Sequence, residues 1–182
     1  MSDSASPTTL RARWQQARAK AWVRWTMDLS VFAAIFLAIM AYQTRHLVGG
    51  GELAPHFELR TLDGELVRSS DLAGKPSILY FWAPWCGVCK IQSPTLSSFH
   101  KSYGDEVNVY AVVVDYGSVD ELKAYVAREN IDYPVLLGTR ELAAHYRVNS
   151  FPTLYFLDKD SQVRRTVIGY TTGLGLRARL LL

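Results

Sequence analysis

Residues 82–90 read Trp-Ala-Pro-Trp-Cys-Gly-Val-Cys-Lys and contain both cysteines of the 182-residue chain. The stretch follows an apolar run, residues 77–82, and precedes a helical pattern from Cys86 to Tyr103. A cysteine pair two residues apart, where a strand passes into a helix, is typical of a redox site in an α/β domain. The first sulfur then lies at a helix N-terminus, where unpaired N–H groups and the helix dipole stabilise negative charge.

This spacing predicts a different chemical role for each of the two sulfurs. Cys86 should ionise readily, and a thiolate is the species that attacks a disulfide. Cys89 follows one helical turn later, close enough to attack a mixed disulfide formed at Cys86 and release the substrate. We therefore interpret the pair as nucleophile and resolving cysteine.

Four other roles for the pair are possible. A purely structural disulfide would close so short a loop that it would add little stability. Zinc sites usually have four ligands, and the histidines show no second ligand pair; they are scattered at His46, His56, His100 and His145. A Cu(I)-binding module that uses both thiolates, or a non-catalytic adaptor, belongs to a different functional class. We predict no metal and no organic cofactor, only a redox-active disulfide.

The sequence around the cysteines alternates between strand and helix patterns, which predicts a layered α/β domain. A small hairpin is expected where residues 57–59 and 65–67 flank the turn Asp63-Gly64. The other expected strands are residues 77–82, 107–114, 134–137, 154–157 and 163–168. The expected helices are residues 86–103, 119–130, with Ser118 and Glu121 as a capping box, 141–146 and 174–182.

The net charge of +3 is confined to the beginning of the chain. Residues 1–44 contain five basic and two acidic side chains, whereas residues 45–182 contain fifteen of each sign. A neutral main body argues against a nucleic-acid footprint. With 49% hydrophobic residues and two cysteines, the chain is also neither disordered nor a disulfide-dense scaffold.

An uncharged run at residues 29–42 follows the basic residues at the beginning of the chain and suggests a reason for them. Extended to residues 25–44, it makes a helix of about 30 Å, the thickness of a bilayer core. We expect an uncleaved signal anchor; a cleaved secretory signal and a buried core helix are the alternatives. The basic arm, residues 1–24, then stays in the cytoplasm, and the rest is exported, in a bacterium to the periplasm, where disulfides persist.

A glycine-rich segment follows the predicted anchor. Residues 45–53 include Gly49-Gly50-Gly51, which prevents helix or strand from propagating, so we interpret them as a linker. The folded domain is expected to extend over residues 54–182. The predicted localisation is a single-pass protein of the inner membrane with a periplasmic catalytic domain.

The stretch Trp82–Lys90 resembles the active-site segment of the thioredoxin superfamily. Pro94 matches the family's helix-kinking proline, and Phe151-Pro152-Thr153 resembles its cis-proline loop. The resemblance implies that Phe151 and Pro152 bind substrate opposite the dithiol, together with Trp85, Gly87 and Val88. Thr153 is equally well explained as the first residue of a strand and is not assigned a catalytic role.

The opening of the domain resembles a particular branch of that superfamily. Residues 54–59 (Ala-Pro-His-Phe-Glu-Leu) and 72–76 (Leu-Ala-Gly-Lys-Pro) are similar to the membrane-anchored TlpA/ResA/DsbE-like proteins. Cys-Gly-Val-Cys-Lys with Ser93-Pro94 resembles the suppressor for copper-sensitivity protein D group. The branch implies a thioredoxin-like fold with an N-terminal β-hairpin and an inserted helix and strand, here residues 119–137.

Two positions depart from the family pattern. Tyr80 stands where thioredoxins usually have a buried aspartate, and Gln92 stands where some ResA-like members have a glutamate. Proton transfer at Cys89 would then need Glu58, a water molecule or the neighbourhood of Lys90, and the sequence does not choose among them.

Together these features predict a membrane-tethered thiol:disulfide oxidoreductase. Its partners would be exported cysteine-containing proteins and a membrane thiol that donates or accepts electrons. The resemblance favours a reductase, and a disulfide oxidase or isomerase is the alternative within the class. For a two-electron couple, a difference in reduction potential of only about 30 mV changes the equilibrium constant of exchange tenfold. The residues between the cysteines, Gly87-Val88, therefore do not show whether the protein reduces or oxidises its substrates.

Overall fold

The computed structural model describes residue 22, residues 25–39, residue 42 and residues 50–181. The chain divides into two compact units, residues 1–43 and residues 44–182. In the first unit, residues 25–39 form helix α1, and all of them are exposed. Within the described ranges, no helix combines the length and the apolar character needed to cross a membrane. Most of the predicted basic arm lies outside these ranges, as do residues 40, 41, 43 and 44 of the predicted anchor and residues 45–49 of the predicted linker.

The second unit contains a hairpin and a five-stranded sheet. The hairpin pairs β1 (Glu58–Arg60) with β2 (Leu66–Arg68) and leads into a short 3-10 helix, Ser69–Leu72. The strands of the larger sheet are β3 (Ser77–Trp82), β4 (Asn108–Val113), β5 (Val135–Leu137), β6 (Thr153–Leu157) and β7 (Val163–Ile168). Their spatial order is β5-β4-β3-β6-β7. Strands β3, β4 and β5 are parallel, whereas β6 and β7 run antiparallel to their neighbours.

Four helices accompany these strands. They are α2 (Gly87–Tyr103), α3 (Val119–Arg128), α4 (Arg140–His145) and α5 (Gly173–Leu181). Ser118 caps α3: its hydroxyl accepts from the Glu121 amide, and the Glu121 carboxylate accepts from the Ser118 amide. This reciprocal pair satisfies two amides at the helix start and fixes where α3 begins. The mixed sheet flanked by helices confirms the α/β part of the predicted fold class, whereas the transmembrane helix before it stays a prediction.

Strand β3 lies at the centre of the sheet, and its six residues are all buried. Ile78, Tyr80 and Trp82 face one side of the sheet and join the core that α2 contributes through Leu96 and Phe99. The alternate residues of β3 face a second core on the other side. A strand covered on both faces needs a nearly continuous apolar sequence, which residues 77–82 provide.

The second core lies between the sheet, the hairpin and α4. Leu79 and Phe81 of β3 pack there with Phe57 before β1, with Leu142 inside α4 and with Tyr146 at the C-cap of that helix. Because both faces of β3 are packed, its carboxyl end is held firmly. The active-site turn starts from that end.

Part of the predicted linker belongs to the folded unit. The amide of Gly51 donates to the Val163 carbonyl at 2.7 Å, and the Val163 amide donates to the Glu52 carbonyl at 2.8 Å. Leu53 forms an isolated bridge with Gln162. Residues 51–53 therefore extend the edge of the sheet beside β7.

The predicted elements agree with the structure to within two residues at each end. Strands β3 and β7 have the predicted bounds, and the hairpin strands are shifted by one residue along the chain. The predicted inserted helix and strand of residues 119–137 are α3 and β5. Helix α2 starts at Gly87 rather than Cys86, because Cys86 occupies the N-cap position with extended backbone angles.

Candidate active site

The two cysteines lie where β3 passes into α2. After Trp82 the chain turns, and the Cys86 amide donates to the Ala83 carbonyl at 3.1 Å. Cys86 and Cys89 form a disulfide with their Cα atoms 5.2 Å apart. Cys86 is 7% exposed, whereas Cys89 is 0% exposed. Of the two cysteines, only Cys86 therefore retains surface that a substrate approaching from solvent can reach.

The start of α2 favours negative charge on the Cys86 sulfur. The Cys89 amide donates to Cys86 Sγ at 3.2 Å, so the sulfur acts as the N-cap acceptor. The first turn of α2 contains no acidic residue that would oppose the helix dipole. Once the disulfide is reduced, the same amide and dipole stabilise a thiolate at Cys86.

The Phe151–Pro152 loop lies at the same end of the sheet. The peptide bond between these residues is cis, as the resemblance implied. Thr153 follows as the first residue of β6 and pairs with Phe81 of β3, which places the loop beside the active-site turn. The Thr153 hydroxyl donates to the Ser150 carbonyl at 2.7 Å, so it has a structural role in the loop.

Trp85 is the largest exposed side chain next to the dithiol. It is 66% exposed, and its ring lies edge-on to Phe151 with ring centroids 5.9 Å apart. Gly87 has open space where a Cβ would lie, and Val88 is exposed in the first turn of α2. The structure thus brings Trp85 and Phe151 into contact and places Gly87 and Val88 beside the reactive sulfur.

Sequence reasoning missed Asp115 and Arg140. Asp115 Oδ2 accepts from the Trp85 indole N–H at 3.0 Å, and Oδ1 accepts from the Arg140 guanidinium. These two hydrogen bonds, Arg140 first, hold the pKa of Asp115 below its ordinary value. Asp115 has a positive φ of 59°, a conformation that aspartate tolerates better than most residues. The one available signal was the position of Asp115 directly after the expected strand of residues 107–114.

Beneath the dithiol, two hydroxyls meet the backbone carbonyl of Cys89. Tyr80 Oη donates to it at 3.1 Å, and Ser93 Oγ donates at 3.0 Å. Burial raises the pKa of Tyr80, so the phenol stays neutral where thioredoxins usually have a carboxylate. This arrangement ties β3 to the first turns of α2 without placing a charge there.

The second unusual residue, Gln92, binds the loop before α5. Its side-chain oxygen accepts from the Thr171 amide at 2.7 Å, and its nitrogen donates to the Thr171 carbonyl at 3.1 Å. Gln92 is fully buried, so both of its polar groups must be paired inside the protein. A neutral amide meets this need, since a carboxylate could only accept.

The two charged groups considered for proton transfer are engaged elsewhere. Glu58 pairs with Arg68 at 3.2 Å in the hairpin, and Lys90 pairs with Glu129 at 3.2 Å. Hydrogen bonds from Arg128 and then Lys90 lower the pKa of Glu129. Neither ion pair includes a cysteine.

No group of three or more histidine, cysteine, aspartate or glutamate side chains in the described ranges could hold a metal ion. The chemistry of this site lies in the dithiol itself. An accessible sulfur at a helix N-terminus, a shielded partner one turn away and a cis-proline loop beside them are the parts of a thiol-disulfide oxidoreductase.

Comparisons with known proteins agree with this class. The model of the AhpC/TSA family matches residues 51–166, and the chain belongs to that family. The thioredoxin-like protein YneN of Bacillus subtilis (strain 168) is 33% identical over 124 residues, which cover 67% of this chain and 73% of YneN. The thiol-disulfide oxidoreductase ResA of Bacillus anthracis is 30% identical over 124 residues, 67% of this chain and 71% of ResA.

A solved structure gives the same result. The pneumococcal exposed lipoprotein thioredoxin Etrx1 of Streptococcus pneumoniae strain TIGR4 superposes with a TM-score of 0.60 at 32% identity. The match covers 70% of this chain and 98% of Etrx1. The protein is therefore a thiol-disulfide oxidoreductase with a thioredoxin-like fold and homologues of the ResA and YneN type.

Proposed function

We propose that this protein is a membrane-tethered, exported reductase of cysteine pairs in other exported proteins. One observation carries the proposal: in the Cys86–Cys89 pair only Cys86 retains exposed surface, and it lies at a helix N-terminus near the cis Phe151–Pro152 bond. The other features of the site serve this pair. Trp85 and Phe151 offer an aromatic wall to an incoming chain.

The exchange needs only the two sulfurs and a substrate disulfide. In the reduced protein, the Cys86 thiolate attacks one substrate sulfur, forming a mixed disulfide and releasing the other substrate sulfur as a thiolate that takes up a proton. Cys89 then loses its proton and attacks the Cys86 sulfur. The Cys86–Cys89 disulfide forms, and the substrate leaves with both sulfurs reduced. Two electrons pass from the protein to the substrate, and a thiol donor at the membrane restores the dithiol.

The membrane tether is proposed from the beginning of the chain. Helix α1 is apolar and exposed, and five basic residues against two acidic ones lie in residues 1–44. This charge bias favours a cytoplasmic N-terminus and an exported domain. Fractionation of cells should leave the protein with the membranes, and removal of residues 1–44 should release it. Protease added to spheroplasts should digest residues 45–182, whereas digestion only after lysis would contradict the proposal.

The motif Cys-Gly-Val-Cys-Lys supports a place in the suppressor for copper-sensitivity protein D group. A strain that lacks the protein should then grow poorly in copper, and the full chain should restore growth. Cys86→Ala should not restore it. Full rescue by Cys86→Ala would show that copper tolerance does not depend on thiol exchange by this protein.

The experiment that tests the reductase proposal uses the full chain in its host. Cys89→Ala leaves the mixed disulfide at Cys86 without a resolving thiol, so exported cysteine-containing proteins should be trapped on it. Acid quenching and alkylation should show the wild-type pair mainly reduced at steady state. A pair that is mainly oxidised would indicate an oxidase, and the absence of trapped proteins together with no reduction of insulin would refute exchange.

A further inference from the structure

A groove lies between α2 and the beginning of α5, outside the dithiol site described above. It has a volume of about 450 Å³. We call it the α2–α5 groove; its lining includes Ser98, Phe99, Ser102, Tyr103, Leu174 and Arg177. None of these residues has a role in the exchange chemistry.

The lining of the groove combines the half-buried ring of Tyr103, which packs on the buried Phe99, with a positive charge. The rings of Phe99 and Tyr103 lie 4.9 Å apart, and the Arg177 guanidinium lies over the Tyr103 ring at 5.4 Å. Leu174 is 79% exposed. Arg177 is exposed and takes part in none of the ion pairs between described residues. Such a lining suits an apolar side chain followed by a carboxylate.

An exposed strip of α2 joins the groove to the dithiol. Val88, Ile91 and Thr95 lie three and four residues apart, so they share one face of the helix, and Val88 and Ile91 are exposed. Tyr170 borders this face, with its hydroxyl 3.4 Å from that of Thr95, and is also exposed. Thr95 also lines the groove. The exposed surface of Val88 and Ile91 therefore continues, past the Thr95–Tyr170 hydroxyl contact, to the α2–α5 groove.

This continuity identifies the occupant. A protein that delivers its sulfur to Cys86 must cover Val88 and the neighbouring first turn of α2. From Val88 to Phe99 the helix rises about 16 Å, since each residue adds 1.5 Å. An extended chain covers that distance in about five residues. A substrate segment bound at the dithiol thus reaches the groove with the residue five positions from its cysteine.

We propose that the α2–α5 groove is a docking site for an extended segment of the substrate protein. The groove binds a large apolar side chain of the substrate that lies about five residues from the substrate's reacting cysteine. Arg177 binds a carboxylate next to that side chain. This inference rests on the proposed exchange of disulfides with exported proteins, and it adds the kind of sequence that the enzyme selects.

The test uses the reduced full chain in detergent micelles and synthetic peptides with one cysteine as its glutathione disulfide. One peptide has Leu-Asp beginning five residues after the cysteine, a second has the same pair five residues before it, and a third has Ser-Ser at both places. Burial of the leucine should lower KM about tenfold for one of the Leu-Asp peptides relative to the Ser-Ser peptide, with kcat unchanged.

Substitutions in the groove should remove this preference. Leu174→Glu and Arg177→Glu should raise KM for the preferred peptide to that of the Ser-Ser peptide and leave the Ser-Ser peptide unaffected. The matched controls are Leu53→Glu and Arg165→Glu, two exposed positions at the β7 side of the domain. These controls should retain the preference.

The outcomes separate the two proposals. Equal KM values for all three peptides, with normal reduction of each, would overturn the groove and leave the exchange function intact. An equal loss of preference in the two control variants would also overturn it. A wild-type protein that reduces none of the peptides would refute the exchange function, and the groove proposal with it.

Discussion

The indole N–H of Trp85 donates a hydrogen bond of 3.0 Å to Oδ2 of Asp115, thirty positions further along the chain. Trp85 is anchored to the sheet by this bond, because Asp115 lies two residues after the buried end of β4. The ring is also in edge-on contact with Phe151. An exposed tryptophan at the dithiol is thus held in one orientation by a polar contact on one side and an aromatic contact on the other.

The first prediction concerns loss of the Asp115 carboxylate. Asp115→Ala removes the acceptor, so Trp85 should become mobile, and KM for insulin should rise about fivefold, as expected for the loss of one hydrogen bond. Hydroxyethyl disulfide is too small to use the aromatic wall, and its reduction should change little. Asp115→Asn retains an acceptor and tolerates the positive φ, so it should stay close to wild type. Equal losses in both variants would contradict this role.

The second prediction is the acid dependence of the same contact. Since the folded-state pKa of Asp115 lies below the ordinary value of 3.8, the stabilisation is present above that value and is lost as pH falls through the lowered pKa. The fluorescence of Trp85, obtained by subtracting the Trp85→Phe signal, should change with a midpoint below pH 3.8. Asp115→Asn should lack this transition. A midpoint above pH 3.8 would contradict the hydrogen-bonded pair.

The third prediction tests the hydroxyls beneath Cys89. Tyr80→Phe removes one of the two side-chain donors to the Cys89 carbonyl while retaining the ring that stacks with Trp82. The free energy of unfolding of the oxidised protein should fall by about 1 kcal/mol, as measured by urea denaturation. Ser93→Ala should cost a similar amount. Because both donors serve one acceptor, the double variant should deviate from the sum of the single variants; strict additivity would contradict a shared role.

The fourth prediction restores a carboxylate at a position where some ResA-like proteins have one. Once ionised, the carboxylate of Gln92→Glu cannot donate to the Thr171 carbonyl, and burial should raise the pKa of the new carboxyl group. A raised folded-state pKa stabilises the protein at low pH, and the stability falls as pH rises above about 4.3, the unfolded value. Urea denaturation should therefore show the variant losing stability between pH 4 and pH 7 relative to wild type. Gln92→Ala lacks the charge and should show no such slope.

The sequence was sufficient to predict the main elements and the dithiol. Residues 77–82 form an uninterrupted apolar run, and Ser118 with Glu121 forms a capping box, so local patterns identify β3 and the start of α3. These patterns act over a few residues and are read directly from the chain. Local physics therefore accounts for the position of the two cysteines between β3 and α2.

The contacts that complete the site are not local. Trp85 meets Asp115, and Gln92 meets Thr171, seventy-nine residues away. Such pairs depend on how the strands are ordered in the sheet, which hydrophobic periodicity does not specify. The resemblance to thioredoxins showed that Tyr80 and Gln92 were unusual, but only the structure shows which neutral groups they bind.

The fifth prediction concerns the reactivity of Cys86 itself. The Cys89 amide already donates to its sulfur, and the beginning of α2 adds the positive end of a helix dipole. In the reduced Cys89→Ser variant, the rate of iodoacetamide alkylation should reach half its maximum below about pH 8.5, the ordinary value for a free thiol. In the reduced Cys86→Ser variant, the buried Cys89 should react much more slowly at neutral pH. If Cys89 reacts as fast as Cys86, the assignment of Cys86 as the nucleophile and of buried Cys89 as the resolving cysteine is wrong.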